Sequence, residues 1–136
     1  MTIVEKAHEL SLGNHDDVVV VRQAVRSAAV EIGFSLIDQT KVVTAASELA
    51  RNTVVHGGGG RARVEIISDT TRRGLRLICE DLGPGIRDPD LAMKDGYTTG
   101  AGLGLGLGGS KRLSSEFQIE SSPGKGTRVT IIRWKG

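Results

Sequence analysis

Aromatic side chains make up only 3% of the 136 residues, which removes the stacking platform that single-strand nucleic-acid binders use. No basic block stands in for it. The formal net charge is only +2, so the composition proposes no nucleic-acid partner. The single cysteine, Cys79, excludes an internal disulfide and offers no metal-ligand spacing. It closes the apolar run Leu75 to Cys79, where a buried structural thiol is expected rather than a nucleophile. No apolar stretch approaches a membrane span and no signal peptide opens the sequence, so the expectation is a cytoplasmic domain without a membrane partner. The hydrophobic content of 38% and charged content of 25% are those of an ordinary globular protein. The length suits one domain, residues 1–136.

Glycine, in contrast, is concentrated. Residues 100 to 109 read Gly-Ala-Gly-Leu-Gly-Leu-Gly-Leu-Gly-Gly, a run that is costly in backbone entropy. Such a run is tolerated where bare N–H groups approach an anion or where a loop must move. A flexible linker would interleave its glycines with serine or other polar residues, and these are interleaved with leucine. Gly104-x-Gly106-x-x-Gly109 formally matches the dinucleotide fingerprint, but no strand precedes it and no acidic residue follows at the required spacing. A Walker loop is absent as well, since Gly124-Lys125-Gly126-Thr127 is only a near match. A loop that folds over phosphates remains.

The hydrophobic pattern predicts a strand over 2–12. A helix follows over 18–32, capped by Asp16 or Asp17 and closed by Gly33, although the β-branched run Val18 to Val21 also admits a strand. A second helix is predicted over 39–56 behind an Asp38 cap, with Val42, Ala45, Ala46, Leu49, Thr53 and Val54 at helical spacing. Two strands over 61–68 and 74–80 are joined by the turn Asp69 to Arg73. A short helix around 89–94, the glycine tract, a third helix through Lys111, Arg112 and Leu113, and closing strands over 117–120 and 128–133 complete the expectation.

Two constellations carry chemistry. Glu48, Asn52 and His56 fall at successive i+4 steps on one face of the second helix. That stripe is either a solvated face or a carboxylate beside an amide oxygen, a pair that suits a hard cation held through phosphates. Asp81 ends an apolar strand, where a side chain commonly points into a ligand crevice. It is either an ordinary strand-to-turn Asp-x-Gly or an acceptor for an exocyclic amine, with Gly83 and Gly85 letting a ring lie against backbone.

In order, Glu48-x-x-x-Asn52, Asp81-x-Gly83-x-Gly85, Gly102-Leu-Gly104-Leu-Gly106 and Gly124-x-Gly126-Thr127 resemble the nucleotide-binding boxes of the GHKL ATPases, which include gyrase, histidine kinases and MutL. Ala46-Ser-Glu-Leu-Ala-Arg-Asn52, Leu91 to Thr99 and Ile131-Ile-Arg-Trp134 resemble more specifically the RsbT-type serine/threonine kinases of the stressosome. The anti-sigma kinases are similar at greater distance. The resemblance implies an α/β two-layer sandwich, a mixed sheet with helices on one face. It implies Glu48 as general base, Asn52 as Mg²⁺ ligand, and Asp81 as acceptor of the adenine amine with Thr127 supporting through water. The nucleotide-binding set it implies is completed by Gly83, Gly85, Gly100, Gly102, Leu103, Gly104, Leu105 and Gly106, the tract serving as an ATP lid. Under the same resemblance ATP and Mg²⁺ are used, and a STAS-domain antagonist is phosphorylated on serine or threonine. The kinase then passes to a PP2C-type phosphatase, with a stressosome scaffold as a further partner. Two alternatives come with it: an anti-sigma factor, and a nucleotide-gated binding module without transfer. Roles for Arg51, facing phosphate or partner, and for His56 stay open.

Overall fold

The computed structural model describes residues 1–83 and 107–135. Among these, the chain runs β1 (Ile3–Leu12), α1 (His15–Ile32), α2 (Leu36–Val55), β2 (Gly60–Ser68), β3 (Arg73–Asp81), α3 (Leu107–Arg112), β4 (Glu116–Ser121) and β5 (Thr127–Trp134). The predicted helix around 89–94 lies outside the described residues.

The run Val18 to Val21 is helical. Val18 and Val21 are buried while Val19 and Val20 are half exposed, the alternation of a 3.6-residue period. The cap of α1 is Asn14 rather than Asp16 or Asp17: its side chain accepts from the Asp17 N–H at 3.0 Å. Asp17 in turn accepts the Gly13 N–H at 2.7 Å. Gly33 closes the helix at φ 96°, a left-handed conformation that disfavours a side chain. Helix α2 begins three residues before the expected start. Ser35 is the cap, its hydroxyl accepting the Asp38 N–H at 3.1 Å, so Asp38 sits in the first turn, where a carboxylate suits the helix dipole.

The five strands form one sheet in the order β1-β2-β3-β5-β4. Each described pairing is antiparallel, so the sheet is antiparallel rather than mixed. The reason lies in the connections. β2–β3 and β4–β5 are hairpins, and β1 reaches β2 through two helices rather than through the single crossover helix of a parallel β-α-β unit. The expected two-layer arrangement holds. Helices α1 and α2 cover one sheet face and bury Val21, Val25, Ala29, Val42, Ala45, Ala46, Leu49 and Ala50 against Val64, Leu75, Leu77, Val129 and Ile131. The alanines of α2 let neighbouring backbone approach. Buried Ser110 of α3 donates to the Ala45 carbonyl at 3.3 Å.

The opposite sheet face carries alternating charge. Glu65 accepts from Arg63 at 2.7 Å and from Arg76, and Arg63 also donates to Glu9 at 3.0 Å. At the far end of the sheet Arg133 ties three elements together, donating to the Leu113 carbonyl and to Asp38, each at 2.8 Å.

Candidate functional site

Asp81 is the last residue of β3 and only 9% exposed, at the end of the sheet where α2 also finishes. Its neighbours are mainly backbone. The Gly83 N–H donates to its Oδ1 at 2.8 Å. Burial pushes the carboxyl above its ordinary range, while donation from the Gly83 and Thr127 N–H groups works the other way. An acidic group in such a place accepts hydrogen bonds from a ligand donor with little competition from water.

Three glycines make this approach possible. A Cβ on Gly57 would overlap the Asp81 side chain, one on Gly83 would overlap the Gly57 carbonyl, and one on Gly126 the Asp81 carbonyl. Gly126 also has φ 81°. Gly57 is held in turn by α2, its N–H donating to the Asn52 carbonyl at 3.1 Å. This chain of contacts connects the strand-end carboxylate to the helix that carries Glu48 and Asn52. One glycine suffices to stop a helix, so the four that follow His56 were the sequence signal for this contact.

Thr127 pairs with Asp81 across β3–β5 and with Ser121 across β4–β5. The Ser121 and Thr127 hydroxyls lie 2.8 Å apart. The Ser121 hydroxyl also donates to the Gly126 carbonyl at 3.0 Å. Asp81, Thr127 and Ser121 thus form one polar row bordering a recess of about 350 Å³. Ser121, which ends its strand as a small polar residue, carried no motif in the sequence.

Glu48 and Asn52 occupy successive turns of α2, between its buried face and solvent. The Asn52 side-chain nitrogen is buried and has no hydrogen-bond partner among the described residues. A buried amide left unsatisfied costs about 1–3 kcal/mol, a cost that a ligand bonded to this atom would remove. Its two ends exchange by rotation, offering nitrogen to a phosphate or oxygen to a cation. Glu48 is less enclosed, and its Oε2 accepts from Arg51 Nη2 at 2.6 Å. His56 caps α2.

Cys79, beneath Asp81 on β3, is 2% exposed. Burial pushes its thiol up to about 12, against donation involving Thr53, which leaves no nucleophile at neutral pH. Among the described residues no three His, Cys, Asp or Glu side chains converge as a metal cage. Gly85, Gly100, Gly102, Leu103, Gly104, Leu105 and Gly106 lie outside the described residues.

A family model described as histidine kinase-, DNA gyrase B-, and HSP90-like ATPase matches residues 37–135, a span that takes in Asp81, Thr127 and all but the first residue of α2. The chain belongs to this ATPase family. Within the family it is 46% identical over 118 residues to the serine/threonine-protein kinase RsbT of Bacillus subtilis, covering 87% of this chain and 89% of that one. It is 34% identical over 114 residues to the anti-sigma F factor of Clostridium kluyveri, covering 81% and 80%. This family member is accordingly an enzyme of the RsbT-type serine/threonine-kinase kind, and ATP use comes with the family. The fold is shared with the RsbU and RsbW domains of Rv1364c from Mycobacterium tuberculosis at TM-score 0.65 and 22% identity, over 96% of this chain and 33% of that one. It is also shared with the catalytic domain of histidine kinase ThkA at TM-score 0.52 and 14% identity, over 96% of both chains. Among the described residues no helix is long and apolar enough to cross a membrane.

Proposed function

We propose that this chain, acting as one unit over residues 1–136, transfers the γ-phosphoryl group of ATP to a serine or threonine of a STAS-domain antagonist. The weakened complex then frees the kinase for a PP2C-type phosphatase, with a stressosome scaffold as a further partner. The observation that supports this reading is the α2 arrangement: a carboxylate held by Arg51 at the rim, one turn before a buried amide nitrogen with no partner among the described residues.

Phosphoryl transfer asks little covalent chemistry of a protein; positioning and charge neutralisation dominate. Asp81 accepts the adenine amine and Thr127 supports it through water, with Gly83 leaving room for the ring. The Asn52 amide, without a partner among the described residues, and the family's use of ATP fit a site that would hold Mg²⁺ through Asn52 oxygen and nucleotide phosphates. Mg²⁺ bound there would neutralise charge on the phosphates. Gly85 and the tract residues Gly100, Gly102, Leu103, Gly104, Leu105 and Gly106 take the nucleotide-facing role that the family pattern gives them. Glu48 accepts the proton of the incoming hydroxyl as oxygen bonds to phosphorus, the bridging P–O bond breaks and ADP leaves. The base must come within about 3 Å of that hydroxyl.

The test is incubation with Mg-ATP and the STAS-domain protein encoded nearest to this chain, followed by intact mass. A gain of one phosphoryl group is expected. Glu48→Gln should abolish the gain while nucleotide affinity stays within about twofold; undiminished transfer by the variant would remove Glu48 from the role of base. A second reading, an anti-sigma factor with kinase activity, is favoured by the similarity to anti-sigma F factor. Pull-down with a sigma factor against a PP2C phosphatase separates the two. A nucleotide-gated binder without transfer has no use for Glu48, and an unmodified STAS protein would be its signature.

A further inference from the structure

Arg51 follows Glu48 by three positions on α2, and Asn52 follows by four. At 100° per residue these two side chains flank Glu48 on opposite sides. Asn52 lies on the inner flank, with a buried amide. Arg51 lies on the outer flank with a side chain 52% exposed, against 31% for Glu48. The carboxylate therefore stands between a ligand-facing amide and a solvent-facing guanidinium.

The contact is specific to one oxygen. Arg51 Nη2 donates to Glu48 Oε2 at 2.6 Å. A carboxylate has two oxygens and, without a partner, rotates freely about its last torsion. Tying Oε2 to Arg51 restricts that rotation and leaves Oε1 as the second acceptor of the carboxylate. We infer that Arg51 is a positioning residue for the base: it fixes the rotation of the Glu48 carboxylate so that Oε1 meets the incoming hydroxyl. This rests on the kinase reading above. The balance of the step is unchanged: the hydroxyl proton passes to Oε1, the new O–P bond forms, and ADP departs. An exposed i,i+3 ion pair adds little to stability, so the effect belongs in the transfer rate rather than in folding.

The experiment compares wild type, Arg51→Ala, Arg51→Lys and, as a control on the exposed side of the same helix, Lys41→Ala. Each is assayed for phosphorylation of the STAS-domain protein, for slow hydrolysis of ATP by water, for ADP affinity by calorimetry and for thermal stability. Arg51→Ala should lower kcat about 10- to 100-fold in both reactions, the range expected when a reacting group is misplaced. KM for ATP and for the protein substrate, ADP affinity and Tm should hold. Arg51→Lys should recover part of kcat, and free guanidinium at millimolar concentration should raise the Arg51→Ala rate without affecting Glu48→Gln. Lys41→Ala should match wild type. Unchanged or faster turnover by Arg51→Ala, or a loss confined to KM, overturns the assignment while leaving the kinase reading intact. A wild type that neither phosphorylates nor hydrolyses overturns both.

Discussion

Under the proposed function, Asp81 sets a conflict between stability and binding that a single substitution exposes. Its carboxyl is held above the ordinary range by burial, so the folded protein binds a proton there more tightly than the unfolded chain does. The sign follows: this group costs stability above the unfolded pKa and costs less as the pH falls. A ligand amine, however, prefers the ionised form. Adenine-nucleotide affinity should therefore weaken on acidification from a pH above the usual aspartate range, and Asp81→Asn should bind weakly at every pH while melting higher than wild type. Calorimetric titration across pH, with melting curves for both proteins, checks this. Neighbouring glycines divide the same question. Gly57→Ala drives a methyl into Asp81, whereas the space beside Gly58 is open and only its φ of 75° resists a side chain. Gly57→Ala is expected to weaken nucleotide binding about tenfold or more. Gly58→Ala should keep affinity and lose about 1 kcal/mol of stability. Equal affinities for the two variants would show that the Gly57 contact does not matter to the site.

At the scale of the element, the charged sheet face depends on Glu65, whose side chain is 4% exposed. Burial works to raise its carboxyl, but donation from Arg63 and Arg76 prevails and holds it below the ordinary range. That stabilisation is complete above the unfolded carboxylate pKa and is lost as pH falls through the lower folded value. Glu65→Ala leaves two guanidinium groups without their shared partner. Because Arg63 is 41% exposed, solvent screens part of the penalty, and a loss of about 1–2 kcal/mol at neutral pH is expected. Urea unfolding should show that loss shrinking in acid.

Several elements could be read from sequence because their signals are local: Gly33 closes α1, the Asp69 to Arg73 turn joins β2 to β3, and Asp81 ends β3. The expected start of α2 falls late because Leu36 and Ile37, 72% and 69% exposed, are apolar residues that point away from the core and break the amphipathic pattern. Ser35 with Asp38 three residues on was nevertheless a capping signature. The motif residues Glu48, Asn52, Asp81 and Thr127 were legible by type and order. The Gly57 contact, the Ser121–Thr127 pair and the Asn52 amide without a partner among the described residues were not, since each depends on how α2 and the strand ends meet in space.

For the whole molecule, the telling feature is the partner of β1. Leu12 pairs with Gly60 and Ile3 with Ser68, so the edge strand joins its neighbour only after both helices have been crossed. Pairing of that kind closes a long loop, and the entropy of closure is met before any contact rewards it. Strand β1 should therefore dock late. Leu12, fully buried, tests this: Leu12→Ala should cost about 3 kcal/mol. A chevron analysis should place most of that cost in faster unfolding rather than slower refolding. A loss concentrated in the refolding limb would put β1 in the folding nucleus.

The same pairing has a consequence during synthesis. Strand β1 leaves the ribosome ahead of β2, and Leu12 and Gly60, which meet at its end, are about 48 positions apart. At about 5–20 residues per second, translation leaves it unpaired for roughly 2–10 s. Through that interval its backbone donors and acceptors are open to any other nascent chain. Lys6, Glu5 and Glu9 along the strand are the kind of charges that discourage such capture, so their worth lies partly in a nascent state that the finished fold no longer displays.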